Sequence, residues 1–249
     1  MSEETKKTSE SGPLEEGKRK GPSDLIIDIE EMVGAGVHLG HKKSKGHPKM
    51  KPYIFAQKNN IDIIDLQKTA QNFKEALEFM QETVKEGKKI FFVGTKIQIK
   101  DLLQELAEAL KMPYFNKRWL GGFLTNFPTM LKRINYFNDL KKKMEGGEFE
   151  KYTKKEKIKI EKELKSLEEK FGGVKEITEL PKAIFILDLK KDALAAKEAK
   201  KVGIPVVAIC DTDADIGLCD FAIPANDDAL SSVKYILDKV KEAILLIKK

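Results

Sequence analysis

Ile-Phe-Phe-Val-Gly-Thr-Lys, residues 90–96, decides the fold class. Four apolar residues run without a polar break and stop at a glycine turn. A strand covered on one face alternates apolar and polar residues, whereas a strand covered on both faces reads as a continuous apolar run. The stretch is therefore expected as an inner strand of a parallel sheet, with Gly94-Thr95-Lys96 turning into a helix. Two further stretches repeat the form: residues 183–187 before Asp188, and Val-Val-Ala-Ile-Cys at 206–210 before Asp211. Residues 221–223 give a last short strand. Shorter strand signals at 53–55 and 61–64 flank Asn59-Asn60.

The segments between these strands carry helical spacing. Asp65 is placed to cap a helix with Leu66, Ala70, Phe73, Leu77, Met80 and Val84 on one face, at alternating steps of four and three. Ile99, Leu102, Leu103, Leu106 and Leu110 make a second stripe, and residues 192–202 form an Ala/Lys-rich helix. After Asn226-Asp227-Asp228, a final helix turns Leu230, Val233, Ile236 or Leu237, Val240, Ile244 and Ile247 inward. Near the N-terminus, Ser23 or Asp24 can cap a short helix through Leu25, Ile26, Ile29 and Met32, closed by Gly34 and Gly36. Strands alternating with helices predict an α/β fold: an open parallel sheet with helices on both faces.

The alternation is interrupted after Asn-Lys-Arg-Trp-Leu-Gly-Gly-Phe-Leu-Thr-Asn, residues 116–126. Gly121-Gly122 permits a tight turn, Thr125 or Asn126 offers a cap, and Pro128 suits a first helical turn. Met130, Ile134, Phe137 and Met144 then mark one helix, ended by Gly146-Gly147. Thr153 and Glu156 form a capping box for a second, with Ile160, Leu164, Leu167 and Phe171 at steps of four, three and four. This is the spacing of an antiparallel helical hairpin, a coiled coil inserted into the α/β domain. The expected organisation is a disordered tail over 1–22, an α/β domain of 23–125 and 174–249, and a hairpin arm over 126–173. Between residues 132 and 170 there are 13 Lys/Arg and 9 Asp/Glu, so the arm carries a basic excess.

The chain of 249 residues is 41% hydrophobic, enough for a core, and 35% charged, against roughly 25% in an average globular domain. Lys and Arg number 46 against 40 Asp and Glu, and the pI is near 9.0. Clustered basic charge points to a polyanionic partner, nucleic acid or an anionic surface. No apolar run reaches the roughly 18 residues of a membrane span, and the first residues contain no signal-peptide apolar region. The two cysteines, Cys210 and Cys219, are too few for a disulfide scaffold; Cys210 reads as a small core residue, and a reducing cytoplasm is the expected setting.

Residues 37–52, Val-His-Leu-Gly-His-Lys-Lys-Ser-Lys-Gly-His-Pro-Lys-Met-Lys-Pro, form the most basic segment. Its lysines and turn formers suit a loop lying along a phosphate backbone. The expected RNA contacts are Lys42, Lys43, Lys45, Lys49 and Lys51, Lys96 at the strand turn, Lys117 and Arg118, and Lys132 and Arg133 at the arm's base. Trp119 belongs to the same set as a base-stacking ring, with a core anchor as the competing reading. The turn at Gly94 lacks the frame of a nucleotide-binding P-loop. No cofactor is expected. The openings for a metal are His38 with His41, and a divalent ion bridging Asp188 and Asp211 at two strand ends. Asp211-Thr212-Asp213 after an apolar strand also resembles the nucleophile motif of haloacid-dehalogenase-type phosphatases. Only 36 residues follow Asp213, too few for the remaining elements of that fold.

Several stretches together resemble one family, the bacterial-type second protein of the small ribosomal subunit. They are A-G-V-H-L-G-H at 35–41, P-K-M-K-P-Y-I-F at 48–55, F-V-G-T-K at 92–96, R-W-L-G-G-F-L-T-N at 118–126 and F-G-G-V-K at 171–175. L-P-K-A-I-F-I-L-D at 180–188, K-E-A-K-K-V-G-I-P at 197–205, C-D-T-D at 210–213 and F-A-I-P-A-N-D-D-A at 221–229 follow in the same order. The resemblance implies a flavodoxin-like body with an inserted helical hairpin, docked on small-subunit ribosomal RNA beside neighbouring ribosomal proteins in the cytoplasm. It implies neither catalysis nor a small-molecule substrate, and no membrane. The chain departs from the family pattern at Gly46-His47, where Trp-Asn is usual, and at Asp213 and Ile216, where Asn and Pro are usual. Ala196 also stands where a larger aliphatic is usual.

Overall fold

The computed structural model describes residues 27–247. The expected tail over 1–22 and the caps at Ser23 and Asp24 lie outside them. The first described helix, α1 (Ile29–Gly34), starts instead from Asp28, whose carboxylate accepts the Glu30 N–H at 2.9 Å.

The chain then makes a small antiparallel sheet that strand patterning only partly foresaw. Strands β1 (Leu39–Lys42), β2 (Ile54–Lys58) and β3 (Ile61–Ile64) lie in the order β1-β3-β2. Asn59 and Asn60, both at positive φ, turn β2 into β3. The basic segment is thus not one loop. Its first part is a paired strand, and Pro48–Tyr53 forms a short 3-10 helix with Met50 fully buried.

Helix α2 (Leu66–Lys85) begins at Asp65, as expected, with the Asp65 carboxylate accepting the Gln67 and Lys68 N–H groups. There follow β4 (Ile90–Val93), α3 (Lys100–Leu110), β5 (Tyr114–Phe115), α4 (Phe127–Glu145), α5 (Lys154–Phe171), β6 (Ala183–Ile186), α6 (Ala193–Val202), β7 (Val206–Cys210), β8 (Phe221–Pro224) and α7 (Leu230–Leu245). Strands β5-β4-β6-β7-β8 form one parallel sheet in that spatial order. Numbered by appearance in this sheet, the order is 2-1-3-4-5, that of flavodoxin-like folds.

The continuous apolar strands are buried on both faces, and consecutive residues feed opposite cores. Ile90 and Phe92 point to one core with α1, α2, α3 and α7; Phe91 and Val93 point to the other with α4 and α6. Leu230, expected inward, is 50% exposed at the start of α7, while Val233, Ile236, Leu237, Val240 and Ile244 are buried. Asn226 caps the approach to that helix rather than the helix itself, its side chain accepting the Asp228 and Ala229 N–H groups.

Helices α4 and α5 pack on one another, and Tyr136 Oη donates to Glu163 across the pair at 3.0 Å. The Thr153/Glu156 capping box is present. Phe127, Ile134, Phe137 and Phe171 sit in the same core as β4 and β6, so the base of the pair is built into the α/β body. Away from the base the interface thins: Met144 is exposed, and Ile160, Leu164 and Leu167 are half-buried. Leu140, outside the expected stripe, is buried in its place. No helix among the described residues is long and apolar enough to cross a membrane.

Candidate nucleic-acid interface

In a parallel sheet the residues that follow each strand gather at one edge. Here that edge carries Gly94-Thr95-Lys96 after β4, Asp188 after β6, Asp211 after β7, and Asp227 and Asp228 after β8. The strand order reverses between β4 and β6, the place where open α/β sheets hold ligands. Lys96 fills that place from within. Its ammonium lies 2.6 Å from Asp227, 2.8 Å from Asp228 and 2.9 Å from Asp188, with the side chain 14% exposed. Burial opposes the charge on Lys96, but its hydrogen bonds and attraction to Asp227, Asp228 and Asp188 outweigh burial and hold its pKa above the usual range. Burial, then repulsion from Asp188 and Asp211, raises Asp227.

Lys96, expected to meet a phosphate, is therefore committed to carboxylates of its own chain. Gly94 serves packing: a Cβ there would lie 2.8 Å from Leu187 Cδ1. Helix α3 begins only at Lys100, so the glycine turn does not open directly onto a helix N-terminus.

A second knot joins the small sheet to this edge. His41 on β1 puts Nδ1 3.1 Å from Asp211 and Nε2 3.2 Å from Asp228 and 3.7 Å from Asp213. The hydrogen bond to Asp211 outweighs burial and, with the charges of Asp213 and Asp228, raises the imidazole to about 9. Two backbone bonds reinforce the junction: His41 N–H donates to Thr212 Oγ1 at 2.9 Å, and His47 N–H donates to the Thr212 carbonyl at 2.8 Å. Gly40 is needed for this approach, since a Cβ would stand 2.5 Å from Thr212 Cγ2. Lys190 pairs with Asp213 at 2.7 Å, and Thr95 donates both N–H and Oγ1 to buried Asp192.

The metal candidates do not assemble. Asp188 is held by Lys96; Asp211 accepts from its neighbour Thr212 and from His41. The His38 Nδ1 atom is buried with no hydrogen-bond partner. Among the described residues no group of three His, Cys, Asp or Glu side chains is arranged to hold an ion.

The remaining expected contacts face outward. Lys42, Lys43, Lys45 and Lys51 are exposed, as are Arg118, Lys132 and Arg133, and none makes an ion pair with another described residue. Lys49 is held by Asp215 at 2.8 Å, and Lys117 lies 3.7 Å from Glu169.

Trp119 differs from its neighbours. It is 6% exposed, packed 5.2 Å from Phe115, 5.7 Å from Phe123 and 5.9 Å from Phe91, centroid to centroid. The ring is a core anchor, turned away from any stacking partner. Sequence reading missed what holds it there: Glu198 of α6, a carboxylate only 5% exposed. Glu198 accepts from Trp119 Nε1 at 3.1 Å, Gly122 N–H at 2.7 Å and Leu124 N–H at 3.1 Å, with Thr125 N–H and Oγ1 at 3.5 Å. Thr125 is thus spent on Glu198, and Asn126 occupies the cap position of α4 without a side-chain cap bond. Gly122, at φ +83°, lets the turn close around the carboxylate. The partners are 73 to 79 residues from Glu198, beyond any local pattern.

Phe55 was also missed. It lies where the β2–β3 register slips between Ile54 and Ala56, and it is 77% exposed. Such a bulge re-aims a side chain. Its sequence context gave only a short strand signal, which does not say which face the ring takes.

Residues 32–246 match the family described as "Ribosomal protein S2". The chain is 47% identical over 220 residues to the small ribosomal subunit protein uS2 of Roseiflexus sp. (strain RS-1), covering 88% of this chain and 84% of that one. It is 46% identical over 220 residues to the protein of the same name from Coprothermobacter proteolyticus, covering 88% and 82%.

Proposed function

Since the chain belongs to the ribosomal protein S2 family, and is thereby a structural constituent of the small ribosomal subunit and not an enzyme, we propose that it docks on small-subunit ribosomal RNA through its outward lysines and arginines. The observation that carries this reading is the division of its cations. Lys96 and Lys49 are satisfied by carboxylates of the same chain, whereas Lys42, Lys43, Lys45, Lys51, Arg118, Lys132 and Arg133 are exposed and unpaired among the described residues. Unpaired cations gain most from phosphates, because binding releases condensed counterions without breaking an internal pair. Docking of this kind fixes position and reads little base sequence.

Phe55, exposed on the small sheet and lying between Lys51 and Lys58 in sequence, supplies a flat ring for an unpaired base. The α4–α5 pair, with its basic excess, acts as an arm on RNA or a neighbouring ribosomal protein. The protein works on the ribosome in the cytoplasm, without a resident cofactor.

The test is replacement of Lys42, Lys43 and Lys45 together by Gln. All three are exposed, so circular dichroism should be unchanged. Incorporation into the small subunit, followed by gradient sedimentation, should weaken, and the log–log salt slope of RNA binding should fall by roughly 2. Unchanged incorporation and an unchanged slope would remove these lysines from the interface.

A further inference from the structure

Cys210 and Cys219 are the only cysteines of the chain, and neither belongs to the interface described above. Cys210 ends β7 and is fully buried; Cys219 is half-buried just before β8. The eight residues between them turn back on themselves. Asp215 accepts the Gly217 N–H at 3.0 Å and starts the short 3-10 helix Ile216–Leu218, after which Cys219 N–H donates to the Ile216 carbonyl at 3.3 Å. This return brings the two sulfurs to 3.7 Å.

We propose that Cys210 and Cys219 form a dithiol that closes reversibly to an intrachain disulfide when it meets an oxidised low-molecular-weight thiol. The sulfurs have to close from 3.7 Å to a bond of about 2.0 Å, a movement within reach of side-chain rotation and a small shift of the 3-10 turn. Only Cys219 is open to a reagent. Its thiolate attacks one sulfur of the small disulfide, forming a mixed disulfide and releasing one thiolate, which takes up the proton Cys219 has lost. Cys210 then attacks Cys219 Sγ, the new S–S bond forms, and the second small thiol leaves with the proton from Cys210. Two protein thiols are oxidised and one external disulfide is reduced to two thiols. The order of attack follows from the surroundings: the hydrogen bond with Cys219, and then burial, hold the Cys210 thiol well above its ordinary range.

The loop enclosed by this bond carries the docking platform of the small sheet. Thr212 receives the His41 and His47 N–H groups, and Asp215 receives Lys49. A crosslink from 210 to 219 therefore ties off the segment on which the basic strand β1 is seated.

The experiment uses the full chain in its native state, treated with oxidised glutathione and measured by intact mass and thiol titration. No Lys or Arg lies between residues 202 and 233, so both cysteines fall in one tryptic peptide. Closure is expected to lower that peptide's mass by about 2 Da, remove both titratable thiols, and reverse with dithiothreitol. Cys210→Ser is expected to stop at the glutathione adduct on Cys219. A wild-type protein that accumulates the same adduct with Cys210 still free, or that closes only after denaturant is added, overturns the proposal. So does a wild-type chain that keeps both thiols under conditions where the Cys210→Ser variant takes up glutathione.

Discussion

Replacing Glu198 by Gln changes almost no volume, yet it should be among the most damaging single substitutions in this protein. The carboxylate accepts on both oxygens. Oε1 holds Trp119 Nε1 at 3.1 Å and Gly122 N–H at 2.7 Å, while Oε2 holds Leu124 N–H at 3.1 Å and Thr125 at 3.5 Å. An amide has one acceptor oxygen and one donor group. In one orientation its NH₂ faces Leu124 and Thr125; in the other it faces Trp119 and Gly122. Either way two donors in a buried loop lose their acceptor and meet another donor. An unsatisfied buried donor costs about 1–3 kcal/mol, and the bonds that survive lose their charge assistance, so the total is about 3–5 kcal/mol. That is a large part of the stability of an ordinary domain. Trp119 is the single Trp, so its fluorescence reports the site directly while urea titration gives the stability. The expected result is a lower urea midpoint with an unchanged slope and a shifted native emission maximum. A loss below about 1 kcal/mol with the native spectrum intact would refute the claim that Glu198 organises residues 119–125.

Protonated His41 should make stability fall as pH rises. Its folded pKa, about 9, lies above the ordinary 6.5, so the stabilisation is complete below pH 6.5 and disappears as pH passes through 9. The shift corresponds to about 3 kcal/mol at most, and about 2 kcal/mol is expected because the side chain remains partly exposed. Urea midpoints of wild type and His41→Gln should converge between pH 6.5 and 10; parallel curves would show that the imidazole carries no such charge. Gly40→Ala should cost about 2 kcal/mol by driving a methyl into Thr212 Cγ2 and the Asp62 carbonyl. Adding Thr212→Ser removes the first obstacle while keeping the hydroxyl that receives His41 N–H, and part of the loss should return. Thermal unfolding with no loss for the single variant would mean that β1 is not seated as described.

The layered body was legible in the sequence alone. Residues 90–93, 183–186 and 206–210 are apolar at every position, and only a strand covered on both faces tolerates that. Asp65, the stripe of α2 and the Thr153/Glu156 box were legible for the same reason: each is a rule about neighbours within a turn or two. The basic character of residues 42–51 was legible too, because charge needs no geometry to be counted.

What the sequence could not assign was which charges remain available. Lys96 looks like any lysine after a glycine turn until β8 returns, more than 120 residues later, to place Asp227 and Asp228 against it. Trp119 flanked by Lys117 and Arg118 reads either as a stacking ring or as a core anchor until α6 supplies Glu198 to hold it in the core. Phe55 reads only as part of a short strand signal, and the slip in register that leaves it exposed comes from the pairing of β2 with β3. Local chemistry fixes secondary structure because its partners are a few bonds away along the chain. Burial, pairing and exposure of a particular side chain depend on segments that only the folded sheet brings together.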